Sequence, residues 1–454
     1  PMFSQQWWLQ PASGSNANAQ VDRRRGVPGF LRAWQSGLVG STGAAAARVA
    51  VLDTGITAHP DLAGRILPGY DFVSDSVYAG DGNGRDADPT DPGDGLTAAE
   101  LADPAYRDLG CAARNSSWHG TLIAGLIAAN TSNGVGVAGI HHDARIVPVR
   151  VAGKCGANLD DIIDGMRWAA GLAVAGAPVN AHPARIVNIS FGGAASCGNA
   201  YQSAVNELRQ HGVLVVAAAG NDAGAVSRPA SCAGVVGVTA LNRDGFKTHY
   251  ANFGAALGVS GLATVGGDDA GGGAWGGRLA DSGLLTVWNS GAQTPGNPVY
   301  ANLFGTSFAA PLVAGAAALM LSVNPALTVE QLVAGLRASA RPHVTSPWIG
   351  ACSNANPGRC LCSAATCGAG ILDAEQALRY AAQPASYVVP ARLPEVIDNA
   401  DVIAAAALGP DLPARAEPAV AEAASGGGAL SAPWLAALAL ALWLLRPPRP
   451  LRTA

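Results

Sequence analysis

A short apolar run that ends in an aspartate organises the first half of the chain: residues 48–55 read RVAVLDTG. Small and β-branched apolar residues in such a run are typical of a strand buried on both faces. Three runs of the same character follow, at 145–149, 186–189 and 213–216. Helical patterns rich in small residues alternate with them, at 119–130, 160–172 and 200–211. This alternation predicts an α/β fold, a doubly wound and mostly parallel sheet with helices on both faces.

The composition excludes several classes of protein. Of the 454 residues, 49% are hydrophobic and 13% are charged, so a large core can form and the chain is not wholly disordered. The length suits one enlarged domain with appendages as well as it suits two or three small domains. The net charge is −4, from 28 basic and 32 acidic residues. Electrostatic capture of nucleic acid needs a dense basic face, so we expect no nucleic-acid partner.

Changes in composition divide the chain into four segments. Residues 1–47 are polar and rich in Gly and Ala, and we interpret them as an N-terminal arm that ends in a short helix. Residues 48–381 carry the alternating pattern and form the predicted α/β domain. Residues 382–428 are dominated by Ala, Pro and Glu and close with three glycines, a composition that indicates a linker.

The last segment, residues 429–454, contains an apolar run followed by arginines. Residues 434–445 read WLAALALALWLL, and counted from Ala429 the uncharged stretch is about 17 residues, the lower limit for spanning a bilayer. The arginines beyond it would place the extreme C-terminus in the cytoplasm. The alternative is a helix packed on the domain, which is less favoured because a helix apolar on all sides has no face for solvent.

Four side chains of complementary chemistry stand at predicted element ends. Asp53 ends the first strand, His119 opens a helix, and Ser307 stands at the start of an apolar helix predicted at 312–322. A serine hydroxyl becomes a nucleophile when a base takes its proton, imidazole is a suitable base near neutrality, and a buried carboxylate fixes its tautomer. Asn221 follows a strand and supplies an amide donor for an oxyanion. Strand ends and helix N-termini are where such groups gather in an α/β sheet.

Five segments together resemble those of the subtilisin-like serine proteases, the subtilases of peptidase family S8. They are DTGI at 53–56, HGT at 119–121, NISFGG at 188–193, AAGN at 218–221 and GTSFAAP at 305–311. The resemblance covers residues 48 to about 375, and the blocks stand in the family's order. It implies that Asp53 is the orienting acid, His119 the general base and acid and Ser307 the nucleophile. It also implies that Asn221 and the Ser307 amide are the oxyanion donors.

The resemblance also implies where a substrate would bind. Ser190, Phe191 and Gly192 match the stretch that pairs with the substrate backbone as an added strand. The small residues Ala218 and Gly220, with Gly192, indicate a roomy and mostly apolar S1 pocket. We therefore expect a monomeric, secreted or surface-sorted bacterial serine endopeptidase that forms an acyl-enzyme. Its expected substrates are proteins and peptides, with broad specificity and a preference for apolar P1 residues.

Ordinary structural roles compete with catalysis for each of these residues. Any one of them could be a strand-end cap or a helix residue, but their joint occurrence favours a catalytic role. A protease fold that has lost activity and serves as a surface or adhesion module would show no acylation of serine. A serine esterase would cleave small esters and leave denatured proteins intact. A lipase is disfavoured because position 309 is Ala, where a G-x-S-x-G elbow requires Gly.

An acidic loop at residues 81–94 reads DGNGRDADPTDPGD. Clustered carboxylates repel unless neutralised, so oxygen ligands on a Gly-rich loop suit Ca²⁺. The loop is not an EF-hand, because its fifth position is Arg85 and no Glu closes it. Subtilases often bind calcium on the loop before the catalytic histidine, and the alternative is a solvated acidic loop. The expected ligands are Asp81, Asp86, Asp88, Asp91 and Asp94.

A second structural calcium site is implied by the resemblance alone. Asp61 follows a His-Pro turn as the family's ligand does, and Asn133 with the carbonyls of Val135 and Val137 matches the family's loop after the catalytic helix. The family's further ligand near the mature N-terminus has no clear match. No organic cofactor is expected.

Eight cysteines, an even number with no CxxC pair, favour disulfides formed in an oxidising compartment over a metal site. Eight cysteines allow about 105 connectivities, so the pairing cannot be deduced. Cys111 could meet Cys155, and Cys197 could meet Cys232. The remaining four are expected to pair among themselves: Cys352, Cys360, Cys362 and Cys367.

The two ends of the chain suggest processing. The chain begins at Pro1 with no signal-peptide pattern, so we expect a mature fragment without its leader. The family resemblance adds a missing pro-segment that acts as intramolecular inhibitor and chaperone. The glycine triplet, apolar span and arginines at the C-terminus resemble the bacterial sorting signals called GlyGly-CTERM. That resemblance implies cleavage by a rhomboid-type membrane protease, with transient or permanent anchoring through residues 429–445.

Overall fold

The computed structural model describes residues 1–12, 23–39, 47–107 and 111–411. The predicted membrane and sorting segment at 429–454 and the end of the predicted linker lie outside the described residues.

The centre of the fold is a seven-stranded parallel sheet. Its strands are β1 Arg48–Asp53, β2 Tyr70–Asp71, β3 Arg145–Arg150, β6 Ile186–Ile189, β7 Leu214–Ala218, β8 Val236–Leu241 and β9 Leu262–Val265. They lie side by side in the order β2-β3-β1-β6-β7-β8-β9. Four shorter or peripheral strands form two hairpins: β4 Ala152–Gly153 with β5 Gly156–Ala157, and β10 Leu284–Asn289 with β11 Pro298–Leu303. The prediction of a mostly parallel sheet is confirmed.

Helices cover both faces of the sheet. They are α1 Phe30–Gln35, α2 Ser76–Ala79, α3 Pro104–Arg107, α4 His119–Ala128, α5 Leu159–Ala169, α6 Asn199–Gln210, α7 Ala255–Ser260, α8 Gly276–Leu279, α9 Thr306–Val323, α10 Val329–Ser339, α11 Ala364–Cys367, α12 Ala374–Ala382 and α13 Ala400–Ala406. Alternate residues of β1 point to opposite faces of the sheet. Val49 and Val51 pack with α4 and α9 on one face. Ala50 and Leu52 pack with α5 and α6 on the other. The sheet is therefore buried on both sides, as a doubly wound fold requires.

The order of the strands locates a crevice. Strand β1 pairs with β3 on one side and with β6 on the other, so the chain winds outward in both directions from β1. Ligands of open α/β sheets bind outside the carboxyl ends of the strands at such a switch point. Asp53 is the last residue of β1 and therefore lies at this point.

Helix α9 begins earlier than the sequence suggested, at Thr306, and Pro311 lies inside it. Proline has no N–H to donate to the carbonyl of residue i−4, so the Ser307 carbonyl is left without its helical partner. Ser190 takes the place of that donor, because its Oγ donates to the Ser307 carbonyl oxygen at 2.9 Å. Helix α9 is the one described helix long and apolar enough to cross a membrane, and it is 89% buried as the core helix of the domain.

The segment predicted as a linker differs from the structure in its first half. Ile397, Val402 and Ala405 are buried, and they pack with the loop that carries the late cysteines. Asp411 is 1% exposed and accepts hydrogen bonds from Arg359 Nη1 and from the Trp275 amide. Sparse apolar residues among Ala and Pro thus form a docked strap over residues 397–411, which overall composition did not reveal.

The predicted disulfides are confirmed. The structure pairs the eight cysteines as Cys111–Cys155, Cys197–Cys232, Cys352–Cys360 and Cys362–Cys367. The first two disulfides join residues that are 44 and 35 positions apart in sequence. Each such cross-link stabilises the fold by about 2–4 kcal/mol, because it lowers the entropy of the unfolded chain.

Candidate active site

Asp53 and His119 form a buried pair at the carboxyl edge of the sheet. The imidazole Nδ1 lies 2.8 Å from Asp53 Oδ1 and 2.9 Å from Oδ2. A carboxylate oxygen can only accept here, so Nδ1 carries the proton and Nε2 carries a lone pair. The Thr54 amide also donates to Asp53 Oδ1, at 2.8 Å, which fixes the carboxylate.

The surroundings of His119 favour its protonated form. Burial acts to lower its pKa, but the charge and hydrogen bond of Asp53 and the charge of Asp94 outweigh burial, so the pKa is raised above 6.5. The charge of Arg114 opposes this rise. A base with a raised pKa has a stronger affinity for the proton that it must accept.

Ser307 lies in the first turn of α9 and is 4% exposed. Its Oγ donates to the Ser190 carbonyl at 2.6 Å, and no hydrogen bond joins it to His119 in the described part of the chain. The ring of Phe308, the next residue, meets the His119 ring edge-on with centroids 6.1 Å apart. The structure therefore brings Asp53 and His119 into contact, and the Ser307 hydroxyl is hydrogen-bonded to the Ser190 carbonyl.

Asn221 is oriented by the residue before the serine. Its Oδ1 accepts from both the amide and the Oγ1 of Thr306, each at 2.9 Å. The Thr306 hydroxyl in turn accepts from the Gly220 amide at 3.1 Å. Two donors on Oδ1 turn Nδ2 away from Thr306, so the Asn221 amide remains available to donate to an oxyanion.

The five predicted substrate-binding residues have mixed environments. Ser190 is buried through its two hydrogen bonds with Ser307, and Phe191 packs in the core on the α5 and α6 side of the sheet. Ala218 ends β7 and is 3% exposed. A Cβ at Gly192 would overlap the Arg228 carbonyl, and Gly220 has a φ of +107°, so only glycine fits either position. Their small size thus has a structural cause.

The five carboxylates of the acidic loop accept hydrogen bonds from different donors. The donors are Arg150 for Asp81, Asn83 for Asp86, Thr90 for Asp88, Thr54 for Asp91 and Ser117 for Asp94. Among the described residues, this loop contains no convergent set of three ligands. A calcium ion shared by these aspartates stays a prediction, and in the described structure Asp91 and Asp94 accept hydrogen bonds within the fold.

In the second predicted set, Asp61 contacts the Asn133 side chain and the backbone amide of Val137. Asp61 is fully buried, and its oxygens lie 2.8 Å from the Asn133 side-chain amide and 2.9 Å from the Val137 amide nitrogen. No salt bridge neutralises Asp61 within the described ranges. The oxygen and nitrogen of an asparagine amide exchange places by a 180° turn, which would present Asn133 Oδ1 to a cation beside Asp61. A buried anion without a counter-charge fits a hard cation held by Asp61, Asn133 and the carbonyls of Val135 and Val137.

Several residues of the site were not identified from sequence. Thr54 and Thr306 are adjacent to Asp53 and Ser307, and their hydroxyls hold neighbouring groups in place. Trp118 precedes His119, has a left-handed φ of 54°, and donates from its indole Nε1 to the Gly291 carbonyl at 2.8 Å. Adjacency to a catalytic residue was the available signal for all three.

Comparisons with known proteins show the family of this chain. The sequence model of the Subtilase family matches residues 45–369. The chain is 44% identical over 333 residues to an extracellular protease of Xanthomonas campestris pv. campestris, with 73% of this chain and 50% of that protein covered. It is 37% identical over 338 residues to the extracellular basic protease of Dichelobacter nodosus, with the same two coverages. This chain therefore spans about half the length of these curated relatives.

A solved structure is also similar. A protease structure from Pseudoalteromonas arctica PAMC 21717 superposes with a TM-score of 0.68 at 38% identity, and the match covers 84% of this chain and 98% of that one. Together with the family match over residues 45–369, these findings identify the chain as a member of the Subtilase family.

Proposed function

We propose that this protein is a secreted serine endopeptidase that hydrolyses peptide bonds through Asp53, His119 and Ser307. The observation that carries the proposal is the buried Asp53–His119 hydrogen bond at the switch point, with Ser307 and an oriented Asn221 beside it. Two relatives named as extracellular proteases support both the activity and the secretion.

The proposed reaction begins with a rotation of the Ser307 side chain. Its Oγ leaves the Ser190 carbonyl and turns toward His119 Nε2, at a net cost of about 1 kcal/mol for one hydrogen bond. Nε2 takes the hydroxyl proton while Oγ bonds to the scissile carbonyl carbon. Asp53 holds the ring and stabilises the imidazolium that forms.

The tetrahedral intermediate places negative charge on the former carbonyl oxygen. Asn221 Nδ2 and the Ser307 amide are the proposed donors to it, and removal of one such donor typically lowers kcat by about 10²–10³. His119 then delivers its proton to the leaving amine as the C–N bond breaks. Water attacks the acyl-enzyme by the same acid–base route and regenerates Ser307.

Substrate recognition is proposed to use the strip at Ser190, Phe191 and Gly192. An extended peptide would pair with this backbone as an added strand. A broad specificity with apolar residues at P1 is proposed from the family resemblance and from the small residues Gly192, Ala218 and Gly220 in the sequence. Cleavage of a peptide series varied at P1 tests this, and a requirement for a charged P1 residue would refute it.

A structural calcium ion is proposed at Asp61, with Asn133, Val135 and Val137 as further ligands. Subtilases generally bind calcium, and the buried charge of Asp61 supports a site here. Chelation by EGTA should lower the Tm of the wild-type protein and leave the Tm of Asp61→Asn almost unchanged. An equal fall in both proteins would place the ion elsewhere.

The proposals for maturation rest on sequence resemblance. A pro-segment would act as intramolecular inhibitor and chaperone. Residues 429–445 would hold the monomeric enzyme at the outer side of the membrane, until a rhomboid-type protease cuts near the glycine triplet. Fractionation of cells that express the chain with and without residues 429–454 tests the anchor.

The experiment for the main proposal compares wild-type protein with Ser307→Ala on casein and on a small ester. Casein digestion that disappears in the variant supports an endopeptidase. Ester hydrolysis with intact casein would instead indicate an esterase. Absence of both activities in the folded wild-type protein would indicate an inactive surface module.

A further inference from the structure

We infer that Asp91 and Asp94 are positioning residues that fix His119 against Asp53 from two sides. The inference rests on the catalytic roles proposed above and adds a role for the acidic loop. Both carboxylates are buried, at 1% exposure each, whereas Asp81 and Asp88 of the same loop are exposed.

Asp91 makes the first connection, through Thr54. Asp91 Oδ2 accepts from Thr54 Oγ1 at 2.7 Å, and the same Oγ1 accepts from the Gly120 amide at 3.1 Å. Thr54 directly follows Asp53, and Gly120 directly follows His119. A chain of two hydrogen bonds therefore ties the end of β1 to the first turn of α4.

The backbone of the loop holds Asp91 in this place. The Ile56 amide donates to the Pro89 carbonyl at 3.0 Å, and the Asp91 amide donates to the Ile56 carbonyl at 3.1 Å. This pair of bonds docks residues 89–91 beside the strand end that carries Asp53. These two backbone hydrogen bonds place the Asp91 carboxylate beside Thr54 without help from the side-chain hydrogen bond between the two residues.

Asp94 makes the second connection, on the opposite side of His119 in sequence. It accepts from the Ser117 amide at 2.6 Å, from Ser117 Oγ at 2.9 Å and from Arg114 Nη2 at 3.1 Å. Between Ser117 and His119 lies Trp118, which has a left-handed φ and whose indole Nε1 donates to the Gly291 carbonyl in the turn between β10 and β11. The backbone that leads into His119 is therefore held by one buried carboxylate, which accepts three hydrogen bonds.

Electrostatics agree with the geometry. The charged groups that act on His119 are Asp53 and Asp94, which raise its pKa, and Arg114, which lowers it. Asp94 thus contributes charge as well as position, whereas Asp91 contributes mainly a hydrogen-bond acceptor.

Neither carboxylate belongs to the proposed substrate strip, so their loss should reduce kcat and leave KM nearly unchanged. Supporting residues of this kind typically contribute about 10–100-fold to activity in metal sites, and we expect the lower end, about tenfold, for Asp94→Asn. Loss of the negative charge should also move the acid limb of kcat/KM to lower pH, because His119 loses a group that raises its pKa. A purely structural role would leave that limb in place.

The test measures kcat and KM against pH for wild-type, Asp94→Asn and Ser117→Ala, with active sites counted by a fluorophosphonate. Asp103→Asn is the matched control, since Asp103 is an exposed aspartate that also accepts from a backbone amide. The inference predicts a shifted limb for Asp94→Asn, a lower kcat for both site variants, and wild-type behaviour for Asp103→Asn. Ser117→Ala keeps the buried charge paired with Arg114 and serves if Asp94→Asn does not fold.

A double-mutant cycle tests the other connection. Thr54→Val and Asp91→Asn should each lower kcat, and the double variant should lose little more, because both cut the same series of hydrogen bonds. Full additivity would contradict the inference, as would an unshifted limb in Asp94→Asn. The inference would also be overturned if EGTA lowered the kcat of the wild-type enzyme to that of the variants and added calcium restored it. That result would show that the aspartates act as metal ligands. Wild-type enzyme without Ser307-dependent activity would instead refute the proposed function.

Discussion

Replacement of Thr306 by valine tests how the oxyanion donor is oriented. The Thr306 hydroxyl donates to Asn221 Oδ1 at 2.9 Å and accepts from the Gly220 amide at 3.1 Å. Valine retains the shape of threonine and deletes both bonds. The Thr306 amide still donates to Asn221 Oδ1, so one of the two bonds that orient the side chain survives.

The size of the effect follows from that geometry. Complete loss of an oxyanion donor costs about 2.7–4 kcal/mol of transition-state stabilisation. With half of the orienting bonds retained, we expect about half of that loss, which is about 10–30-fold in kcat. The unpaired Gly220 amide adds about 1–3 kcal/mol to the loss of folding stability, because a part-buried donor is left unsatisfied.

The assay is hydrolysis of a peptide substrate with kcat and KM separated, together with urea unfolding of the same samples. Thr264→Val is a matched control, since Thr264 is also fully buried and its hydroxyl has no hydrogen-bond partner in the described structure. The control should keep wild-type kcat and wild-type or higher stability. A Thr306→Val enzyme with wild-type kcat, or with a change confined to KM, would refute the orienting role.

Further predictions concern pH, the docked strap and a disulfide. His119 must be neutral to accept a proton, and its pKa is raised above 6.5. The fall of wild-type kcat/KM on the acid side should therefore have its midpoint above pH 6.5. A midpoint below that pH would contradict the role of His119 as the base. Asp411→Ala leaves the buried Arg359 with fewer acceptors, so the free energy of unfolding in urea should fall by on the order of 3 kcal/mol while kcat stays unchanged. Unaltered stability would show that the docked strap does not stabilise the domain. Replacing both Cys197 and Cys232 by serine should lower unfolding free energy by about 2–4 kcal/mol, and no loss would mean that the cross-link adds little to stability.

The central sheet could be predicted because its strands are buried on both faces and appear as continuous apolar runs. Asp53, His119, Ser307 and Asn221 could be singled out because each stands at the end of such an element, within a short recognisable segment. The predicted start of α9 was too late, because the helix continues through Pro311, where Ser190 supplies the donor that proline lacks.

The acidic loop illustrates what the sequence could not provide. Five aspartates close together in sequence suggest one shared ligand, but their partners are decided by tertiary structure. Asp91 meets Thr54, 37 residues away, and Asp94 meets Ser117, 23 residues away. The docked strap could not be predicted for a related reason: its buried residues Ile397 and Val402 stand in short apolar pairs beside acidic residues, which show no strand or helix period.

The central claim is that Ser307 is a nucleophile activated by His119 and Asp53. The most direct measurement is labelling with a serine-directed fluorophosphonate, followed by peptide mass mapping of the modified residue. The account predicts one adduct on Ser307, abolished in Ser307→Ala and strongly slowed in His119→Ala. An unlabelled wild-type protein with intact fold and disulfides, or an adduct on another serine, would contradict it.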